Sequence, residues 1–477
     1  MTPIVQISSG LITGRSEDGI TSYLGIPYAA APVGPLHFAA PQPHAGWEGE
    51  RDGTAFGPTA PQSGWTPDLV DIIPNRIIAG DEFLNLNVWV PDGARDLPVM
   101  VWIHGGALLR GANSLEGYSG VPFARDGVVY VAINYRVGAE GAAVLEGAPL
   151  NLAVADVVAA LRWVQAEISA FGGDPGRVTI FGESAGSTMA GCVLARDDAA
   201  ELCAQAIMES AVPTAGTKER GVEITQLIAD RLGVSATREA FAAVEPHKII
   251  EAQDAVLEET SILGGGPMFV LVPGGDSVPR DPMAALLSGA GSTVPIMLGW
   301  TRDEARLWVQ TTPLQHITDE MFAGLAPKLG ATAEVIEVYR GNRPDASPAD
   351  ILAAMASDRM MRNPMNVLAD ARAAHGATTF VYEFAWESPV QGLGAAHAME
   401  LGFVFDRLDS DDFTSMTGPG APQQVADDMH RAWVAFAITG NPGWEPWDSE
   451  RPVQVFDTPA SVLVRAPRED ERVAWAS

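Results

Sequence analysis

Along the chain, short runs of nearly uninterrupted apolar residues alternate with longer stretches in which apolar positions return every third or fourth residue. Leu97-Pro-Val-Met-Val-Trp-Ile103 and Val128-Val-Tyr-Val-Ala-Ile133 are of the first kind, as expected of strands buried on both faces. Val178–Phe181, Val294–Leu298 and Thr379–Phe384 read as further strands. Between the second and third of these, residues Leu152 to Ala170 carry Val154, Val157, Val158, Leu161, Val164 and Ile168 at helical spacing. A later helix is predicted around Val425–Ile438, with Val425, Met429, Trp433 and Phe436 on one stripe and Gly440-Asn441-Pro442 stopping it. Strand and helix in alternation predict an α/β fold with a mostly parallel sheet covered by helices. No repeat, low-complexity tract or linker divides the chain, so a single domain over 1–477 is expected. The segments 215–290 and 305–375 are helical and loop-rich, and are expected to form lid-like insertions over one end of the sheet.

Composition narrows the classes of function. Apolar residues make up 47% of the chain and are interleaved with Gly and Pro, which suits a globular enzyme with many turns. There are 60 acidic against 30 basic residues, a net charge of −30, with no Lys/Arg cluster to offset it. Such a surface repels phosphate backbones and anionic bilayers, so neither nucleic acid nor a membrane is an expected partner; the acidity reads as a means to solubility. Cys192 and Cys203 are the only cysteines and make no disulfide framework. The N-terminal residues lack a basic and apolar leader pattern, and no stretch approaches a membrane-spanning length, so a soluble, cytoplasmic protein is expected.

The chemistry is carried by Gly182-Glu-Ser184-Ala-Gly186, of the form Gly-x-Ser-x-Gly. Bare, the motif is weak in a chain with 49 glycines; its context makes it specific. The strand Val178–Phe181 leads into it and small, helix-compatible residues follow, the strand–turn–helix that exposes a nucleophilic serine at the head of a helix. An anionic tetrahedral intermediate also needs amide donors. One is expected from Ala185, and others from the glycine loop His104-Gly105-Gly106-Ala107 that follows the earlier strand ending at Ile103. His104 precedes the serine and reads as a structural residue. Pattern alone leaves the acid and the base open.

From these residues outward the chain resembles the type-B carboxylesterases, the group that includes para-nitrobenzyl esterases and cholinesterases. Tyr23-Leu-Gly-Ile-Pro-Tyr28, Pro32-Val-Gly-Pro35, Leu86-Asn-Val-Trp89, Asn134-Tyr-Arg136, Leu161-Arg-Trp-Val-Gln165 and Phe171-Gly-Gly-Asp-Pro175 occur in the family's order ahead of the serine motif. The resemblance covers nearly the whole chain and implies the α/β-hydrolase fold. It also implies the remaining triad members. Leu298-Gly-Trp-Thr-Arg-Asp-Glu304 matches the segment holding the family's acid, with Glu304 as the match and Asp303 as the fallback. Gly394-Ala-Ala-His397-Ala-Met-Glu400 matches the segment holding its histidine. His247 and His316 fall in the lid-like segments, His375 ends a helix and His430 sits within one, so all four read as structural or exposed.

The resemblance implies a Ser184–His397–Glu304 triad acting through an acyl-enzyme on small to medium esters, with Gly105, Gly106, Ala107 and Ala185 forming the oxyanion hole. No cofactor is expected, and no metal, since no His-Glu-x-x-His or Cys-x-x-Cys pattern occurs. A carbamate or amide hydrolase using the same machinery is the alternative, and a non-catalytic, cholinesterase-like binding protein the remote one. Several positions depart from the family. Ala60 and Phe83 stand where an N-terminal disulfide often lies, and His37 and Asp81 where an Arg–Glu pair is frequent. Ala107 replaces a frequent third glycine, narrowing the site. Arg136 and Asp174 match a family salt bridge. Leu108, Leu109, Leu307, Trp308 and Phe403 flank the candidate residues as possible lining of the substrate pocket, though each reads more often as core than as pocket.

Overall fold

The computed structural model describes residues 2–66, 69–260 and 269–476. The apolar runs become the middle of one eleven-stranded sheet. Across it lie Val462–Arg465, Pro452–Phe456, Thr379–Phe384, Ile296–Thr301, Gln205–Glu209, Gly173–Glu183, Leu97–Ile103, Val129–Ile133, Asn85–Pro91, Ile20–Pro27 and Arg15–Glu17. Pairing is parallel from Pro452–Phe456 through to Val129–Ile133 and antiparallel beyond each end of that run. The central strands are buried on both faces, whereas the edge strand Arg15–Glu17 is exposed throughout. That contrast is the reason the centre reads as apolar runs and the edges do not.

Successive residues of a strand point to opposite faces, and two cores result. Val99, Val101 and Ile103 join Val129, Val131 and Ile180 under the helix Leu152–Glu167. Met100 and Trp102 join Tyr130, Phe181 and Tyr382 under the helix Gln423–Thr439. Both long helices therefore stand within three residues of their predicted ends, the first finishing in a 3₁₀ turn, Ile168–Phe171.

The segment 215–290 supplies the helices Lys218–Leu232, Arg238–Ala242, Pro246–Thr260 and Pro282–Leu287; its residues 261–268 lie outside the described ones. The segment 305–375 contributes helices that build a third, smaller core around Phe322, Tyr339 and Met355, closed by Ala474 of the C-terminal helix Glu469–Ala476. Among the described residues no helix is long and apolar enough to cross a membrane.

Candidate active site

The sheet delivers the serine at a bend. Gly173–Glu183 ends at Ser184, whose backbone lies at φ +55°, ψ −121°, and the helix Ala185–Leu194 starts at the next residue. This conformation is strained for a side-chain-bearing residue and persists because its surroundings hold it. The Ser184 amide donates to the Glu209 carbonyl at 2.9 Å, at the end of the neighbouring strand. A Cβ on Gly186 would stand 1.9 Å from the Ile103 carbonyl oxygen, so the turn packs directly on the adjoining strand and tolerates only glycine there.

The loop after Leu97–Ile103 closes against the same bend. A Cβ on Gly105 would lie 3.2 Å from Ser184 Cβ, and one on Gly106, at φ +110°, would lie 2.0 Å from the Arg110 carbonyl oxygen. The Gly106 carbonyl accepts from the amides of Leu109 and Arg110 at 3.0 and 3.1 Å, which fixes the tight turn. Ala107 and Leu108 continue it at φ +57° and +62°. Among the described residues the amides of Gly106, Ala107 and Ala185 have no hydrogen-bond partner. His104 lies beneath: its Nδ1 is 2.8 Å from the Gly105 carbonyl, its ring stacks on Tyr135, and burial depresses its pKa to about 4. It is a neutral structural residue.

The strand Ile296–Thr301 ends in the turn that carries Glu304, which is 1% exposed. Glu304 Oε1 accepts from the Thr301 amide at 3.0 Å, and Oε2 is 2.5 Å from His397 Nδ1. The His397 amide donates to the Glu304 carbonyl at 3.2 Å. A carboxylate only accepts, so Nδ1 carries a proton. Nε2 lies 2.9 Å from Glu183 Oε1, and Trp308 covers the ring at 4.9 Å between centroids. Burial opposes charge on His397, but the Glu183 and Glu304 carboxylates outweigh it and hold the pKa well above the ordinary histidine value. Among the described residues the Ser184 hydroxyl has no hydrogen-bond partner, yet Ser184 and His397 share the wall of one cavity.

That cavity encloses about 110 Å³ and is lined by Gly105, Gly106, Ala107, Glu183, Ser184 and His397 at one end. The rest of its wall is mostly apolar: Trp65, Leu69, Ile73, Leu115, Tyr118, Leu307, Trp308, Leu401, Phe413 and Met416 among others. A larger concavity of about 600 Å³ against Lys218–Leu232 has no serine, cysteine or histidine in its lining. Among the described residues no group of three or more His, Cys, Asp or Glu side chains is disposed to hold a metal ion.

A model of the carboxylesterase family matches residues 1–461. The chain belongs to that family. It is 34% identical to the phenmedipham hydrolase of Pseudarthrobacter oxydans, over 92% of this chain and 90% of the relative. Identity to the para-nitrobenzyl esterase of Bacillus subtilis is also 34%, over 93% of this chain and 91% of the relative. Among solved structures, a Geobacillus stearothermophilus carboxylesterase superposes with a TM-score of 0.88 at 34% identity, covering 99% of both chains. The protein is thus a carboxylesterase enzyme with the α/β-hydrolase fold.

One sequence expectation for this carboxylesterase needs correction. Arg136 pairs with Asp156 and not with Asp174: its Nε and Nη2 reach the two carboxylate oxygens of Asp156 at 2.8 and 2.7 Å, both side chains fully buried. Asp174 instead accepts from the Gly176 amide. Where the family's Arg–Glu pair is frequent, His37 pairs with Glu140 at 2.6 Å. Of the five flanking hydrophobics, Leu307 and Trp308 line the cavity, whereas Leu108, Leu109 and Phe403 are absorbed into the cores. Ala60 and Phe83 are buried apolar residues. His247, His316, His375 and His430 stand away from the cavity wall.

Sequence reading also missed the buried carboxylates beside the Ser184 bend. Glu209 accepts from Trp433 Nε1 at 2.6 Å and Glu400 from Ser210 Oγ at 3.3 Å, and both side chains are fully buried. Their second oxygens have no hydrogen-bond partner among the described residues. Burial, aided by the charge on Glu183, raises Glu209 to about 8. Burial and the neighbouring Glu183, Glu304 and Glu209 likewise raise Glu400 well above the carboxylate range. The available signal was position: Glu183 is the variable residue of the serine motif, Glu400 stands three residues after His397, and Glu209 ends a strand beside it.

Proposed function

We propose that this carboxylesterase hydrolyses small to medium carboxylic esters through an acyl-enzyme on Ser184, with His397 as general base and acid and Glu304 as its orienting carboxylate. One observation carries the reading. A serine held at a strained strand–helix bend shares a cavity with an imidazole whose far nitrogen is bound to a buried carboxylate, beside free amides of a glycine loop.

In its neutral form, with Nε2 unprotonated, His397 accepts from the Ser184 hydroxyl as the ester enters; such hydrogen bonds are commonly long before substrate binds. Ser184 Oγ attacks the carbonyl carbon and its proton passes to Nε2. The new oxyanion receives the amides of Gly106, Ala107 and Ala185, with Gly105 leaving room for the approach; each donor is worth about 3–4 kcal/mol in the transition state. The C–O bond to the alcohol breaks and the leaving oxygen takes the proton from Nε2. Water then gives a proton to the same nitrogen, adds to the acyl carbon and releases the acid, and Ser184 regains its hydrogen. Glu304 orients the ring and stabilises the imidazolium formed in each half-reaction.

The apolar wall and the volume of about 110 Å³ support uncharged substrates of modest size. The test is Ser184→Ala assayed on para-nitrophenyl acetate and butyrate. Turnover is expected to fall by about 10⁴- to 10⁶-fold; a variant that keeps the wild-type rate overturns the assignment. A matched ester, carbamate and amide panel is expected to rank the ester first, and a higher kcat/KM for the amide or carbamate would replace the ester reading.

A further inference from the structure

Asp303 precedes Glu304 and was the fallback acid in the sequence, yet the structure gives it different work. Its amide donates to the Ala395 carbonyl at 2.8 Å, and its Oδ2 accepts from the Ala395 amide at 3.2 Å. Two residues on, the His397 amide donates to the Glu304 carbonyl. Hydrogen bonds therefore lace the turn bearing the acid to the loop bearing the histidine, and Asp303 makes two of them, one through its backbone amide and one through its carboxylate.

The surroundings are built around that contact. Gly394 lies at φ +61°, and a Cβ on it would stand 3.0 Å from Asp303 Oδ2. Arg302 Nη2 is 3.0 Å from Asp303 Oδ2 and 2.5 Å from Glu387, at the start of the same loop. Arg306 Nε donates to the Gly392 carbonyl at 2.8 Å, and the Ser388 amide to the Gly394 carbonyl at 3.1 Å. Of the side chains that bridge the two, Asp303 is the one that meets the histidine loop two residues before His397.

We infer that Asp303 is a positioning residue that sets the separation and angle between Glu304 and His397. The inference rests on the roles proposed above for those two residues. It does not make Asp303 part of the proton path, because its carboxylate faces a backbone amide and a guanidinium and does not touch the imidazole. Its effect reaches the chemistry through the register of two loops, where an error of about 1 Å can lower a rate about 100-fold.

Asp303→Ala and Asp303→Asn are compared with wild type, with active sites counted by para-nitrophenol released on titration with a para-nitrophenyl phosphonate. For Asp303→Ala, kcat per active site is expected to fall about 10- to 100-fold while KM stays within about threefold. Asparagine keeps an oxygen facing the Ala395 amide, so Asp303→Asn is expected to recover to within about fivefold of wild type. Gly394→Ala, which pushes the same contact apart without removing a charge, is expected to lose kcat as well and covers the case in which Asp303→Ala does not fold. Wild-type kcat per site in Asp303→Ala, or a loss equally deep in Asp303→Asn, overturns the inference. His397→Ala separates the two levels: if that variant turns over normally, the proposed base has failed; if it is dead while Asp303→Ala is unimpaired, only the positioning role has failed.

Discussion

His397 sits between two carboxylates, Glu304 at 2.5 Å from Nδ1 and Glu183 at 2.9 Å from Nε2. In the proposed mechanism the first orients the base; both favour its charged form, in which it cannot accept a proton. The sign of the consequence is fixed: both charges raise the pKa, so the acid limb of kcat/KM is expected above the ordinary histidine value of about 6.5. Glu183→Gln removes one charge while preserving shape, and the limb is expected to move to lower pH by about 1 pH unit. A pH profile of the purified variant checks this. A profile merely lowered in height, with the limb in place, would show that Glu183 does not govern the titration. The motif Gly-Glu-Ser-Ala-Gly made Ser184 legible because its signal is local, whereas the effect of Glu183 on a histidine 214 positions later is visible only in three dimensions.

Elements place the site by packing on one another. The bend at Ser184 is possible because Gly186 lies against Ile103 of the next strand, and the glycine loop follows that same strand. Beneath it, Arg136 follows Val129–Ile133 and is locked to Asp156 of the helix Leu152–Glu167, both side chains with no exposure. Asp156→Ala leaves a buried guanidinium without its counter-charge and is expected to destabilise the fold by about 3–5 kcal/mol. Urea unfolding measures that loss, and activity per folded molecule should change little, since neither residue lines the cavity. A loss under 1 kcal/mol would mean that solvent or the Ala39 carbonyl, which Arg136 Nη1 also meets at 2.7 Å, compensates. The sequence reading named Arg136 as structural but chose Asp174. Both acids follow at plausible distances along the chain, and only the helix register shows which one faces the guanidinium.

At the scale of the molecule, proton binding ties stability to pH. Glu209 titrates at about 8 in the folded protein and near 4.3 when unfolded, so between those values the folded state holds a proton that the unfolded state has released. Stability contributed by that proton is present below about pH 4 and is lost as pH rises through 8. His397 acts in the same direction: its raised pKa gives stability that is complete below about 6.5 and disappears as pH climbs through the folded value. Glu209→Gln can still accept from Trp433 but carries no charge. It is expected to raise the melting temperature at pH 8–9 and to change it little near pH 4. Equal effects at both ends of a thermal-denaturation series would exclude Glu209 as the titrating group.

The sequence alone determined the alternation of strand and helix, the buried central strands and the serine at its bend, because each follows from contacts within a few residues or from a face that must leave water. The family resemblance added Glu304 and His397. Tertiary structure decided what depends on separation in space: that Arg136 meets Asp156, that Leu108 and Phe403 are core while Trp65 and Phe413 form the cavity wall, and that Asp303 grips the histidine loop. Those outcomes are set by which side chains close packing brings within a few ångströms of one another, and no one-dimensional pattern encodes that distance.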